Sequence, residues 1–303
     1  MYARHEYGEI VWVDLESPSR ADVERVIEEF GIDSSVAEEL LVPSSKARAE
    51  YHDTYAYMVL HFPALRHSHK TREQEMDFIV GRNFLITTHY DLIDPLHKFS
   101  KLFDTESILK THHGVEHAGF IFVAMVKKLY KAVEHEVEYI RRGLTDIEEH
   151  IFSNHHVEMV SAISRSSRDL LNLRHTIEPH RDVWQSCDVF TTQLFGSNFG
   201  ASLKSVVNEY YRVHNHIMRE TESLHELRET NNTMLTTKQN ETVRLFTILA
   251  FFTFPLSLMV AILSIHSEHN PILGLRYDFW IIIGALLFMA FLMFLYFKRK
   301  KWL

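Results

Sequence analysis

Two stretches near the C-terminus hold apolar residues with no charged break. Leu245 to Ile265 reads "LFTILAFFTFPLSLMVAILSI", 21 residues without a charge. As a helix at about 1.5 Å per residue it reaches roughly 31 Å, the hydrocarbon thickness of a bilayer. Phe279 to Phe297, "FWIIIGALLFMAFLMFLYF", supplies 19 more. A helix apolar on every face for this long predicts a membrane span rather than a soluble core element. A polar loop, residues 266–278, separates the two runs, so the pattern predicts a helical hairpin. Pro255 lies in the middle of the first run. It removes a backbone donor and leaves the Phe251 carbonyl without its helical partner. Neighbouring helices or pore water satisfy such a carbonyl, which predicts more than lipid around this helix.

Upstream the periods change. "EIVWVDL" (9–15) alternates and is rich in β-formers, a predicted strand. Ser17-Pro18-Ser19 opens a predicted helix over about 19–30, which Gly31 stops, and a second covers about 33–42. "YHDTYAYMVLHF" (51–62) reads as one strand ended by Pro63. "EMDFIVGRNFLITTH" (75–89) reads as two strands around Gly81-Arg82-Asn83. Residues 1–94 therefore predict an α/β domain with a mostly antiparallel sheet. Helical patterns then dominate, over about 95–111, 116–152, 157–184 and 198–265, the last running directly into the first span. Pro179 predicts a kink or break near Ile177, and "LFGSNFG" (194–200) a break between helices. The expected layout is a helical region over 95–197, a stalk helix continuing into the first span over 198–265, a loop over 266–278, a second span over 279–297 and a basic tail over 298–303. The fold class is thus an α+β cytoplasmic domain with long stalk helices plus two transmembrane helices.

Charge orients this layout. Lys298 to Lys301 follow the second run, Lys238 and Arg244 precede the first, and the loop between holds one Arg and no Lys. Positive residues mark the cytoplasmic side, so both termini are expected in the cytoplasm of a cell that carries the chain in its inner or plasma membrane. The start, "MYARHEYGEIVWVDLE", has no apolar signal-peptide core, in keeping with that side. Trp280 and Trp302 fit as anchors at the two interfaces. The whole chain carries a formal charge of −8, while residues 241–303 hold six Lys/Arg and three Asp/Glu. The acidic remainder is no nucleic-acid footprint. It serves either solubility or a field that concentrates cations. Cys187 is the one cysteine, which excludes an intramolecular disulfide and any multi-cysteine metal site.

No glycine-rich phosphate loop, no His-Glu-x-x-His helix and no local Ser/His/Asp set occurs, so the sequence argues against an enzyme with a bound cofactor. The 21 histidines are the unusual feature. His113 and His117, four apart beside Glu116, would share a helix face and could hold a divalent ion, yet Gly114 favours a loop there. "NHH" (154–156) and "HNH" (214–216) are weaker candidates. In the loop between the spans, His266, Glu268 and His269 offer ligands for Zn or Ni.

These parts, in this order, resemble the CorA family of divalent-cation channels. "SSKARAEYHDTYAYMVLHFP" (44–63) is similar to the family's turn and aromatic-rich strand, and "EMDFIVGRNFLITTH" to its following hairpin. "NLRHTIEPHRDVW" resembles its helix with a Leu-Arg and Pro-x-Arg-Glu pattern. "KQNETVRLFTILAFFTFPLSL" resembles its stalk-to-membrane segment, with Asn240 and Pro255-Leu256 in register, and "FKRKKWL" its ending. The departure falls at the family signature. Ser264-Ile265-His266 stands where Gly-Met-Asn is expected, and Asn270-Pro271-Ile272-Leu273 where Met-Pro-Glu-Leu is expected.

The resemblance implies a funnel-shaped homopentamer in a lipid bilayer, with divalent cations as transported species or regulatory ligands. It implies a first span lining an axial pore through Asn240, Val243, Thr247, Ala250, Phe254, Ser257, Ala261 and Ser264, a stripe spaced by three or four. Phe254 would form a ring able to gate by dewetting, with Phe246 assisting, and Ser257 a ring of hydroxyls. The family's regulatory metal site implies Glu39, which follows Glu38. Its partner position falls near Ser205, which brings no charge, so Glu209 one turn on is the remaining candidate. At the mouth an imidazole suits Zn, Ni or Cu better than hydrated Mg²⁺, and the expected cargo is Zn, Ni, Co or Mg. The expectation is a cation channel of altered selectivity, with a non-conducting or regulatory pentamer and a pH-dependent cation transporter as alternatives.

Overall fold

The computed structural model describes residues 2–63, 73–90, 93, 95–96, 99, 117–153, 155–196, 199–263 and 277–300. Contacts divide the chain into two compact units, Met1–Arg228 and Glu229–Leu303.

The first unit is built on a six-stranded sheet. Its strands are β1 (Tyr2–Tyr7), β2 (Ile10–Glu16), β3 (Arg48–Tyr51), β4 (Tyr55–Pro63), β5 (Glu73–Gly81) and β6 (Phe84–His89). The order across the sheet is β1-β2-β6-β5-β4-β3. All neighbours are antiparallel except β2 and β6, which pair Val11 with Phe84 through Glu16 with His89 in parallel. The run read as a single strand over 51–62 is two strands. The chain turns at His52–Thr54, and β3 folds back on β4 with Tyr51 opposite Ala56.

One face of the sheet carries α1 (Arg20–Phe30) and α2 (Ser34–Glu39). α1 begins at a capping box, with Ser19 and Asp22 bonding each other's backbone N–H, and ends at Gly31 in the left-handed region (φ 67°). Only a residue without a Cβ takes that conformation freely. Val23, Val26, Ile32, Val36 and Leu40 pack there on Val13, Leu15, Tyr57, Val59 and Ile79. The other face meets α3 (Gly119–Phe152), α4 (His156–Ile177) and α5 (His180–Phe195). Phe78 stands edge-on to Phe122, Phe62 edge-on to Tyr130, and the Cys187 sulfur lies 3.9 Å from that of Met58. All nine residues of β4 are buried, because both of its faces are covered.

Pro179 breaks the helical run where expected. α4 stops at Ile177 and α5 restarts at His180, so one expected helix is two. α3 packs on α4 and buries Val126, Val133, Val137, Ile140, Leu144, Ile147 and Ile151 at helical spacing.

α6 (Phe199–Leu263) is a single helix with Pro255 inside it, and α7 (Asp278–Arg299) is the last described element. Both are long and apolar enough to cross a membrane.

Candidate pore and metal-contact residues

In the second unit α6 turns one face toward α7. Phe252 stacks on Phe297 at 5.4 Å between centroids, and Phe251 meets the same ring edge-on at 6.4 Å. Phe297 is buried, and Ile248, Phe252, Leu256 and Met259 are half-buried. At about 100° per residue, Ile248, Leu256 and Met259 fall within about 40° of Phe252 around the helix. On α7 the half-buried or buried positions are Ile282, Ile283, Ala285, Leu286, Met289, Ala290, Met293 and Phe297, again one stripe.

The stripe implied for the pore lies on the opposite side. By the same rotation Asn240, Val243, Thr247, Ala250, Phe254, Ser257 and Ala261 all point within about 60° of the direction away from Phe252. Thr247 is half-buried and the other six are exposed, Phe254 at 75%. This face differs in chemistry from its flanks. It carries an amide, two hydroxyls and two alanines together with Val243 and Phe254; Phe246 and Leu258 lie at its margins, and Leu249, Phe251 and Ile262 stand exposed beside it. Along the helix, hydroxyls return to carbonyls four residues back: Thr242 to Lys238 at 3.0 Å, Thr247 to Val243 at 2.8 Å and Thr253 to Leu249 at 2.9 Å. Each hydroxyl thereby satisfies its proton and leaves oxygen lone pairs available. The mouth residues Ser264, His266, Glu268 and His269 lie outside the described residues.

The two carboxylates implied for regulation are not brought together by any contact. Glu39 pairs with Arg48. A Glu209 oxygen lies 2.6 Å from Arg212, without hydrogen-bond geometry, and Arg212 also reaches Glu134 at 2.8 Å. Among the described residues no group of three or more His, Cys, Asp or Glu could hold a metal ion. His117 is buried between the rings of Phe120 and Phe195, and His113 lies outside the described residues.

A polar cluster that the sequence reading did not single out lies beneath the turn at Ser44. Both the backbone N–H and the hydroxyl of Ser44 donate to Glu75 Oε1, at 2.9 and 3.0 Å. His61 Nε2 donates to the Ser44 carbonyl at 3.0 Å and lies 3.5 Å from Glu75. Burial pushes His61 down, but the bonds to Glu75 and Ser44 outweigh it and raise it above the ordinary value. Burial with the charge of Glu75 raises Asp77 well above the carboxylate range, and neither of its oxygens has a hydrogen-bond partner. The acid-apolar-acid alternation in "EMD" within a strand pattern was the available signal. A mixed-charge cavity of about 570 Å³ opens beside the turn, lined by Lys46, His61, Glu73, His175 and Asp182 among others.

A family model described as CorA-like Mg²⁺ transporter protein matches residues 7–299. The chain belongs to the CorA family. It is similar to the cobalt/magnesium transport protein CorA of Thermotoga maritima, at 23% identity over 96% of this chain and 83% of that one. It is also similar to the putative metal ion transporter YfjQ of Bacillus subtilis, at 20% identity over 96% and 89%. The complete structure of the CorA magnesium transporter from Methanocaldococcus jannaschii superposes with a TM-score of 0.83 at 14% identity, covering 99% of this chain and 93% of that one. The full-length CmaX protein gives 0.74 at 16% identity, covering 97% and 89%. At such identities these structures establish the fold of the whole chain. As a CorA protein the chain is a membrane transport protein and not an enzyme.

Proposed function

We propose that five copies of the chain enclose an axial pore lined by α6, in a cell membrane with both termini cytoplasmic, and pass divalent cations through it. The observation that carries this reading is the exposed stripe from Asn240 to Ala261 on the side of α6 away from α7. A face with an amide, hydroxyls and alanines around the ring of Phe254 suits a wet axis with an apolar constriction, with the flanks left to neighbouring copies and lipid. No carboxylate stands on the stripe, so ions pass with their water on. His266 in place of the family's asparagine shifts preference from Mg²⁺ toward Zn, Ni or Co, with Glu268 and His269 beside it in sequence. Protonated, His266 repels cations, which makes flux pH-dependent. Glu39 and Glu209 are at most a weak regulatory site, since each already faces an arginine.

The same departure from Gly-Met-Asn favours a second reading, a non-conducting or regulatory pentamer that keeps the scaffold. Flux into proteoliposomes, measured ion by ion for Mg, Co, Ni and Zn from pH 5 to 8, separates the two. The expected result is transition-metal flux above Mg²⁺ flux, falling below the imidazole pKa, with the order reversed in His266→Asn. Fast Mg²⁺ flux that survives His266→Ala refutes altered selectivity, and silence toward every ion supports the second reading.

A further inference from the structure

We infer that Arg244 of α6 and Lys298, Arg299 and Lys300 of α7 form a binding site for the headgroups of anionic phospholipids. The stacking of Phe297 on Phe252 sets the C-terminal end of α7 beside α6. Arg244 lies eight residues before Phe252, about 12 Å along the helix in the direction in which α7 ends. The three basic residues of α7 follow Phe297 directly. All four cations therefore lie toward the same end of the apolar hairpin. All four are exposed, and among the described residues no ion pair or hydrogen bond engages any of their side chains. Glu241 is the one acidic residue between Asn231 and Leu263, so little opposes the positive field at this end.

The neighbouring surface identifies the partner. Phe294, Leu295 and Tyr296 are exposed just inside the basic turn, so the same patch is apolar on its membrane side and cationic at its rim. A phospholipid presents the complementary order, acyl chain then phosphate. A free phosphate would use only the rim, and the acidic face of another protein would leave the apolar half uncovered. Juxtamembrane basic residues each strengthen attachment to an anionic surface by about fivefold, so four of them approach several hundredfold if they act independently. This inference needs the hairpin in a bilayer but not a conducting pore, so it stands apart from the transport reading.

The test uses the full-length protein in detergent, titrated with dansyl-labelled phosphatidylglycerol or phosphatidylcholine and read by energy transfer from tryptophan. Phosphatidylglycerol should bind at least tenfold tighter. The preference should fall toward unity in 0.5 M salt and in the combined Arg244→Gln, Lys298→Gln, Arg299→Gln, Lys300→Gln variant. A charge-keeping variant, Lys298→Arg with Lys300→Arg, should retain it and so controls for misfolding. Glycerol phosphate at equal concentration should not compete. Equal binding of the two lipids by the parent protein overturns the inference, as does a preference that the glutamine variant keeps. A glutamine variant that changes assembly size while its lipid preference stays the same also overturns it and assigns the cations to a contact between copies.

Discussion

Replacing His180 with glutamine destabilises the first unit by about 3–5 kcal/mol and flattens its acid sensitivity. The reason is a directed chain of donors. Trp184 Nε1–H donates to the Tyr130 hydroxyl at 2.7 Å, so that hydroxyl gives its own proton to His180 Nδ1 at 2.8 Å. His180 Nε2–H then donates to the His61 carbonyl at 2.8 Å. Only the neutral imidazole, protonated at Nε2, completes this chain. Full burial accordingly pushes His180 down to about 3. The sign follows from the depressed value. The unfolded chain binds a proton below about 6.5, the folded chain does not, and stability falls as pH falls. At pH 5 the loss through this residue is about 2 kcal/mol. His61 works oppositely, since its raised value adds stability below about 6.5 that is lost as pH rises. Asp77, also raised, likewise favours the folded state at low pH. The informative quantity is therefore the difference in pH slope between the parent and the variant. Urea unfolding followed by tryptophan fluorescence at pH 7 and pH 5 measures it, and equal slopes would remove His180 from this role.

Replacing Phe254 with alanine raises resting ion flux about tenfold or more, a change that needs about 1.4 kcal/mol off the barrier. Phe254 is the largest side chain on the stripe facing away from α7 and is 75% exposed in the single chain. In the proposed pore five such rings would narrow and dry the axis, and five methyl groups would not. Phe252→Ala is the matched control, because that ring packs on Phe297. It should loosen the hairpin and lower thermal stability without opening the path. Stopped-flow uptake by a metal-sensitive dye in liposomes reads both. Unchanged flux in Phe254→Ala would move the constriction elsewhere.

The elements legible in the sequence were those whose cause is local. The first apolar run lies within α6 as far as the described residues reach, the second appears as α7 within about two residues of its expected ends, and the Ser19 cap and Gly31 stop bound α1 as expected. The hairpin at Gly81-Arg82-Asn83 joins β5 to β6. What stayed hidden depends on distant partners. β1, with Arg4, His5 and Glu6, has no β-like composition and is a strand only because it pairs with β2 along one edge. The parallel match of β2 with β6 joins segments some seventy residues apart. The break between β3 and β4 lies at polar residues that an aromatic-rich window absorbed. His180 sits within the family-like stretch "NLRHTIEPHRDVW", yet nothing local says that its ring is buried under β4. For the proposed pore lining, the three-to-four spacing predicts a stripe, and the packing of Phe252 on Phe297 puts that stripe on the side of α6 away from α7. The expected helix over 95–111 falls almost wholly outside the described residues, as does the mouth from Ser264 to His269.

Single cysteines placed along α6 probe the pore itself. The native Cys187 is buried, so the background reaction is low. With five copies around a water-filled axis, cysteines at Ala250, Ser257 and Ala261 react with a charged methanethiosulfonate and cross-link between copies, whereas cysteines at Phe252 and Met259 stay silent. Equal reactivity around the helix, or reaction confined to the α7 side, would contradict the account.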